Sequence, residues 1–512
     1  MTSSSMTSSP AAGRASYVSG NHQRKTRVKL WDPFLFDEKG SKTLYYTIDE
    51  RDDEDPNHEY SSWHILPDLI LEQVFQYLSL EERHSASQVC RNWREAFYFP
   101  RVWYTFLLHD DLLSKRKFNY YSGWQKLLDH HRATLFLTKK GEHIRSLIIK
   151  PMNNLFNLYE FLNISYYLND KFPSILGQVH TLRFHFECHI AERSEEVVFG
   201  TGGLMLSMFK RVLGILPALK TLEIKDLLLN TTDGLQLLDD VCVTCCETLQ
   251  TLILINITKV GLTLLHPGVF INLRTLAISP QNISEELLQL LEDTALRNLF
   301  IIQNKYTENC RSISYKAWRQ CRQKNPKLRV HLCIEGNSRM DIVHQLCAPV
   351  KSIVYDSPYA RITTSMMLTN VEFYKHDLEV FAHKQLPRFY MPRSFHDRID
   401  SSLLLLVRQC PYIHTLAVRE KVSTATVLLI AHSAKNLQFF YVRRNAILLK
   451  ADWPMNPNWT PVFYTWLCKS ALSYEAMECE VSQILGYRWQ ALTDKQFKNM
   501  QINLEKTKFM YS

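Results

Sequence analysis

Twelve cysteines are the residues of this chain best able to do chemistry, and Cys242, Cys245 and Cys246 stand almost together. Thiolates at such spacing hold zinc when a second pair of Cys or His ligands lies at zinc-finger distance. No second CxxC or HxxxH cluster is present here, so the metal reading is weak. No GxxxxGK[ST] or HExxH motif occurs, and Gly200-Thr201-Gly202-Gly203 lacks the strand–loop–helix frame of a phosphate cradle. That loop reads as a turn. No cysteine sits in the electropositive setting that makes a nucleophile. The residues point to a protein that is not an enzyme, carries no metal or cofactor, and keeps its cysteines as thiols inside the cell.

Composition narrows the remaining choices. With 46% hydrophobic and 22% charged residues over 512 positions, the chain is an ordinary globular protein of two or more domains or one long repeat array. No apolar run nears the roughly 18 residues of a membrane span. The net charge of +9 is modest, and its densest basic part is Arg14, Arg24, Lys25, Arg27 and Lys29 in an acid-free start. Alone, that tail is weak support for nucleic acid, and salt-dependent binding to random nucleic acid would test it. It lacks a secretory core, and bulky apolar residues are too sparse through Met1–Asn21 for the amphipathic face of a transit peptide. Residues 1–60 read as a disordered tail leading into a solvated acidic linker at Asp49–Asp55.

A short pattern organises most of the chain from Ile144 onward: apolar, two residues, apolar, one residue, apolar. It recurs as Ile144, Leu147, Ile149; Val179, Leu182, Phe184; Leu219, Leu222, Ile224; and Leu249, Leu252, Leu254. Further copies are Leu273, Leu276, Ile278; Leu296, Leu299, Ile301; Val350, Ile353, Tyr355; Ile413, Leu416, Val418; and Leu437, Phe440, Val442. A slipped copy runs Leu328–Leu332, and the wide gap before Ile413 should hide a degenerate one around Leu386–Tyr390. Several successive copies lie about 22 to 32 residues apart, near the leucine-rich-repeat period. Intervening segments such as Ser284–Leu291 read as helices. One strand and one helix per repeat build a curved solenoid, an α/β fold. Cys246, Cys347 and Cys410 each stand three residues before a repeat, where Phe270, Leu216, Leu176 and Ala434 stand elsewhere. A place that accepts all of these is a packing position.

Ahead of the repeats lies Trp63–Phe106, WHILPDLILEQVFQYLSLEERHSASQVCRNWREAFYFPRVWYTF. Pro67 suits a helix start, and Leu66, Ile70, Val74, Phe75 and Leu78 recur near helical spacing. Ser79-Leu80-Glu81-Glu82 reads as a capping box, and Ala86, Val89, Cys90, Trp93 and Phe97 form a further stripe before Phe99-Pro100. Leu66, Pro67, Val74, Phe75, Leu78, Val89, Cys90, Trp93 and Trp103 match the F-box pattern position by position. The segment therefore resembles an F-box, and with its repeats the chain is similar to F-box proteins with degenerate leucine-rich repeats. Within that group it is similar to the F-box only proteins of the 33 and 39 type.

The resemblance implies a layout of F-box (61–107), solenoid (108–450) and C-terminal cap (451–512). It implies a substrate receptor of an SCF-type ubiquitin ligase, without catalysis of its own, in the cytoplasm, the nucleus or both. Leu66, Pro67, Ile70, Val74, Phe75, Leu78, Val89, Cys90, Trp93 and Trp103 would meet a Skp-type adaptor, and through it cullin and RING subunits. A protein target would meet the concave strand face, where Arg183, Phe300, Tyr441 and Arg443 are the first choices. The basic ends of that face suit an acidic or phosphorylated segment. A scaffold that uses the adaptor without degrading its partner is the alternative.

Overall fold

A computed structural model of the chain describes residues 62–121, 123–186, 203–307 and 310–502, and two short strands, Arg27–Lys29 and Tyr45–Thr47. The rest of the expected tail and acidic linker, the Gly200–Gly202 turn and the last ten positions of the expected cap lie outside the described residues. The chain divides into two compact units, Met1–Pro67 and Asp68–Ser512. In the first, the two short strands pair antiparallel and a 3-10 turn runs Ser62–Ile65.

The second unit begins with three short helices, α1 (Asp68–Tyr77), α2 (Leu80–Ala86) and α3 (Arg91–Phe97). The capping box is present: Ser79 N–H donates to the Glu82 carboxylate at 2.7 Å, and Glu82 N–H donates to Ser79 Oγ at 3.3 Å. This ties off the start of α2 and turns the chain sharply out of α1. Val89 and Cys90 fall in the link between α2 and α3 rather than inside a helix, with Cys90 at the N-cap.

Beyond them, twelve parallel strands stack in chain order in one sheet. They are β1 (Thr105–Leu108), β2 (Ser146–Ile149), β3 (Thr181–His185), β4 (Thr221–Lys225), β5 (Thr251–Ile255) and β6 (Thr275–Ile278). The second half is β7 (Asn298–Gln303), β8 (Arg329–Glu335), β9 (Val350–Asp356), β10 (Val380–His383), β11 (Thr415–Val418) and β12 (Phe439–Val442). Parallel neighbours need crossovers, and most intervals supply one with a helix, such as α4 (His130–Lys140) between β1 and β2. Many successive helices pack side by side. The middle apolar position of each repeat aligns across the sheet, Phe106 beside Leu147, then Leu182, Leu222, Leu252, Leu276 and Leu299. Each of these from Leu182 onward is fully buried. The repeat pattern is thus a ladder of core side chains.

Two repeats differ from their expected places. Trp103, Phe106 and Leu108 form a first copy around β1, so the solenoid starts inside the segment assigned to the F-box. The degenerate copy is not at Leu386–Tyr390 but at β10, with Leu378 and Phe381 buried and His383 in the third apolar place. A histidine there breaks the hydrophobic signal. A bulge shifts the register between β8 and β9: Val330 pairs with Val350 and His331 with Ser352, leaving Lys351 as the extra residue.

Candidate adaptor-docking and target-binding surfaces

The residues expected to meet an adaptor divide by burial. Phe75 is fully buried and Trp103 is 2% exposed. Trp103 Nε1 donates to the Phe97 carbonyl at 2.8 Å, and its ring meets Phe97 edge-on with centroids 5.0 Å apart. Phe136 of α4 lies 5.9 Å away, and the Lys140 ammonium sits 5.0 Å from the Trp103 centroid. Burial and the neighbouring Lys139 lower that ammonium to about 8. Trp103 and Phe75 are therefore packing residues, closed to a partner. Trp103 joins α3 to the first repeat. Val74, Leu78, Cys90 and Trp93 are half-buried, and Trp93 meets Phe75 edge-on at 6.0 Å.

Other apolar residues of this region stay in water. Ile70 and Val89 are 42% and 65% exposed. Leu69, Tyr77 and Tyr98, which the pattern did not single out, are exposed as well. Ile70, Val74 and Tyr77 share one stripe of α1, spaced by four and three residues. Small helices with bare apolar stripes mark a partner surface. In the first unit, Leu66 is half-buried and Pro67 exposed. Arg83, buried and outside the apolar pattern, braces α1: its guanidinium donates to the carbonyls of Phe75, Leu78 and Gln76. Its place in a capped polar helix hid it.

The concave strand face is built differently from expectation. Its alternate positions Ile253, Ile255, Ala277, Phe300, Ile302, Cys333, Val354, Ala382 and Ala417 belong to one buried apolar cluster with Phe497, Met500 and Ile502. The C-terminal segment closes over the centre of the face. Phe300, offered as a target anchor, is 1% exposed and stacks on His331 at 4.4 Å. It is unavailable to a target. Arg443 is engaged too, donating through Nε and Nη2 to Asp494 at 2.7 and 3.0 Å. Tyr441 packs half-buried against the same cluster. Arg183 lies 3.4 Å from Glu223, which also meets His185 and Lys225, each at 2.8 Å. Burial pushes the Glu223 carboxyl up, but His185 and Lys225 outweigh it and hold it at about 2.

Leu492 anchors the closing segment. Its N–H donates to the Val442 carbonyl and its carbonyl accepts from Arg444 N–H, both at 2.8 Å. This covers the edge of β12, which would otherwise bare its backbone. Trp489 stacks on Phe440 at 5.5 Å and donates to the Phe440 carbonyl at 2.7 Å. No signal in the sequence marked 492–502 as a face-covering segment, because its apolar residues are few and scattered.

Among the described residues no group of His, Cys, Asp and Glu could hold a metal ion. Burial, aided by Asp239 and the neighbouring thiols, pushes the Cys242 thiol up to about 12; burial likewise takes Cys410 to about 12. Such thiols are poor nucleophiles. Cys245 is buried and donates to the Leu216 carbonyl at 3.2 Å.

An F-box-like family model matches residues 63–109. The chain is 37% identical to mouse (Mus musculus) F-box/LRR-repeat protein 21 over 75 residues, which is 14% of this chain and 17% of that protein. It is 26% identical to human (Homo sapiens) F-box/LRR-repeat protein 8 over 296 residues, 56% of this chain and 71% of that protein. The match to the first of these thus spans about a sixth of that relative. A solved structure titled as the Rad7 and Elc1 complex in yeast overlaps 78% of this chain and 93% of that one, at 13% identity. Its TM-score of 0.29 adds nothing to the assignment of the fold. The chain therefore carries an F-box-like domain ahead of a parallel-strand repeat solenoid, and is related to F-box/LRR-repeat proteins. The narrower likeness to the 33 and 39 type stays an expectation.

Proposed function

We propose that the chain is a substrate receptor of an SCF-type ubiquitin ligase. The F-box-like segment would hold a Skp-type adaptor, and through it cullin and RING subunits, while the solenoid holds a protein target. Ubiquitin transfer then needs no chemistry in this chain, because holding two partners together raises their effective concentration. The observation that carries the reading is the exposed apolar surface of α1 and the α2–α3 link, fastened to the first repeat through buried Trp103. A rigid fastening keeps a bound target at a fixed distance from the ligase. The site of action would be the cytoplasm, the nucleus or both; no described helix is long and apolar enough to cross a membrane.

Affinity capture from cells, comparing the intact chain with a Leu66→Ala/Pro67→Ala variant, tests the proposal. Each buried apolar anchor is worth about 1.5–3 kcal/mol, so adaptor recovery should fall steeply with the variant. Proteins held by both forms, but accumulating only with the variant, are the expected targets. Adaptor loss without any accumulating protein would favour the non-degradative scaffold. Equal adaptor recovery would remove the docking proposal.

A further inference from the structure

With the concave centre closed, the loops after β9, β10 and β11 are the next candidate surface. Arg419, fully buried, donates to the carbonyls of Ser357, Ala360 and Lys384, and to Glu420 Oε1 at 3.1 Å. One guanidinium thus fastens the loops after β9 and β10 to the end of β11. Arg398, equally buried, is spent on Asp400 and Asp452, both at 2.8 Å. The held loops enclose a pocket of about 200 Å³ lined by Arg361, Thr363, Phe389, Tyr390, Asp397 and Lys421, among others.

Among the described residues the pocket's remaining cations, Arg361 and Lys421, have no carboxylate partner. Arg361 is exposed and lies 5.3 Å from the Phe389 centroid, which also has Arg419 at 5.6 Å. Lys421 donates to the Met391 carbonyl at 3.1 Å and sits 5.6 Å from the Tyr390 ring, itself 82% exposed. Arg388 and Arg393 are exposed on the same loop. Among the described residues none of Arg361, Arg388, Arg393 and Lys421 has a carboxylate in ion-pair range. Of the two carboxylates lining the pocket, Glu420 is committed to Arg419, leaving Asp397 against Arg361 and Lys421. Burial, then Arg393 and Arg443, lower the Lys421 ammonium.

Resting on the receptor reading, we propose that this loop pocket is where the target docks, and that it takes a phosphorylated serine or threonine of the target. A phosphoryl group brings about two negative charges and three acceptor oxygens. Arg361 and Lys421 both line the pocket and supply matching charge, and Tyr390, which lines it too, brings a hydroxyl. A carboxylate has one charge and fewer acceptors, so it fits less well.

The test uses the full chain bound to a Skp-type adaptor. The probes are degenerate peptide libraries centred on phosphoserine and phosphothreonine, on unmodified Ser/Thr, and on Glu, with a random RNA oligonucleotide beside them. Retention of the phospho library about tenfold or more above the others, lost in Arg361→Gln/Lys421→Gln, supports the site. The substituted positions are exposed or half-exposed, and unchanged thermal unfolding verifies the fold. No retention, equal retention of the three libraries, preference for RNA, or undiminished retention by the variant overturns it. Adaptor capture read in the same preparation separates the claims: phosphopeptide binding without adaptor capture leaves the pocket standing and defeats the receptor reading.

Discussion

At the scale of single residues, burial separates side chains that the F-box pattern places together. Trp103 is enclosed by Phe97, Phe136 and Lys140, whereas Val89 stands in water. Trp103→Ala should destabilise the fold by about 3–5 kcal/mol, and Val89→Ala should change it by no more than about 0.5 kcal/mol, both read from urea unfolding. Similar losses for the two would contradict the division. His331 gives a pH signature. Burial first, then Arg329 and Lys351, lower its folded pKa to about 3, against about 6.5 in the unfolded chain. The unfolded state therefore holds more protons between those values. Its contribution is complete above about pH 6.5 and is lost as pH falls toward 3, at up to about 1.4 kcal/mol per pH unit. His383, buried with neither ring nitrogen hydrogen-bonded, acts in the same direction. Unfolding midpoints should fall between pH 7 and 5, and less so for His331→Gln. A flat profile would exclude this account.

At the scale of elements, the closing segment 492–502 is the least expected part. Three apolar side chains, Phe497, Met500 and Ile502, enter the concave cluster. At about 1.5–3 kcal/mol each, they contribute enough that cutting the chain before Thr493 should lower stability by several kcal/mol. Hydrogen exchange should then speed up in β5–β11, where the cluster's strand residues lie, while the α1–α3 region keeps its protection. Exchange unchanged in those strands would mean the segment does not hold the face. The capping box is a smaller effect: Ser79→Ala should cost about 1 kcal/mol. Of these elements, the capping box was legible because its signal is local, two residues three apart. The closing segment was not, because what it covers comes from strands up to about 250 residues away.

For the whole molecule, the ladder of repeats was readable because every strand repeats one buried pattern, whatever lies between. The copies that escaped are those where chemistry intrudes: β10 carries His383 in an apolar place, and the copy around β1 opens with Trp103, just before the strand, which the F-box pattern claimed. The F-box-like region was legible as a segment, but which of its residues face out depends on packing against α4 and β1. The expected target face was less legible: Phe300 is closed off and Arg443 is paired with Asp494. Alternation correctly named the concave residues, but the chain's own C-terminal segment covers the central ones, and cations without a carboxylate partner among the described residues collect on loops with no periodic signature. The receptor account stands most directly on one number, the dissociation constant of purified Skp-type adaptor for the intact chain and for Ile70→Glu/Val89→Glu. Both positions are exposed, so circular dichroism should show an unaltered fold. The account predicts a loss of about a hundredfold or more. Equal affinity of the two folded proteins for the adaptor would contradict it.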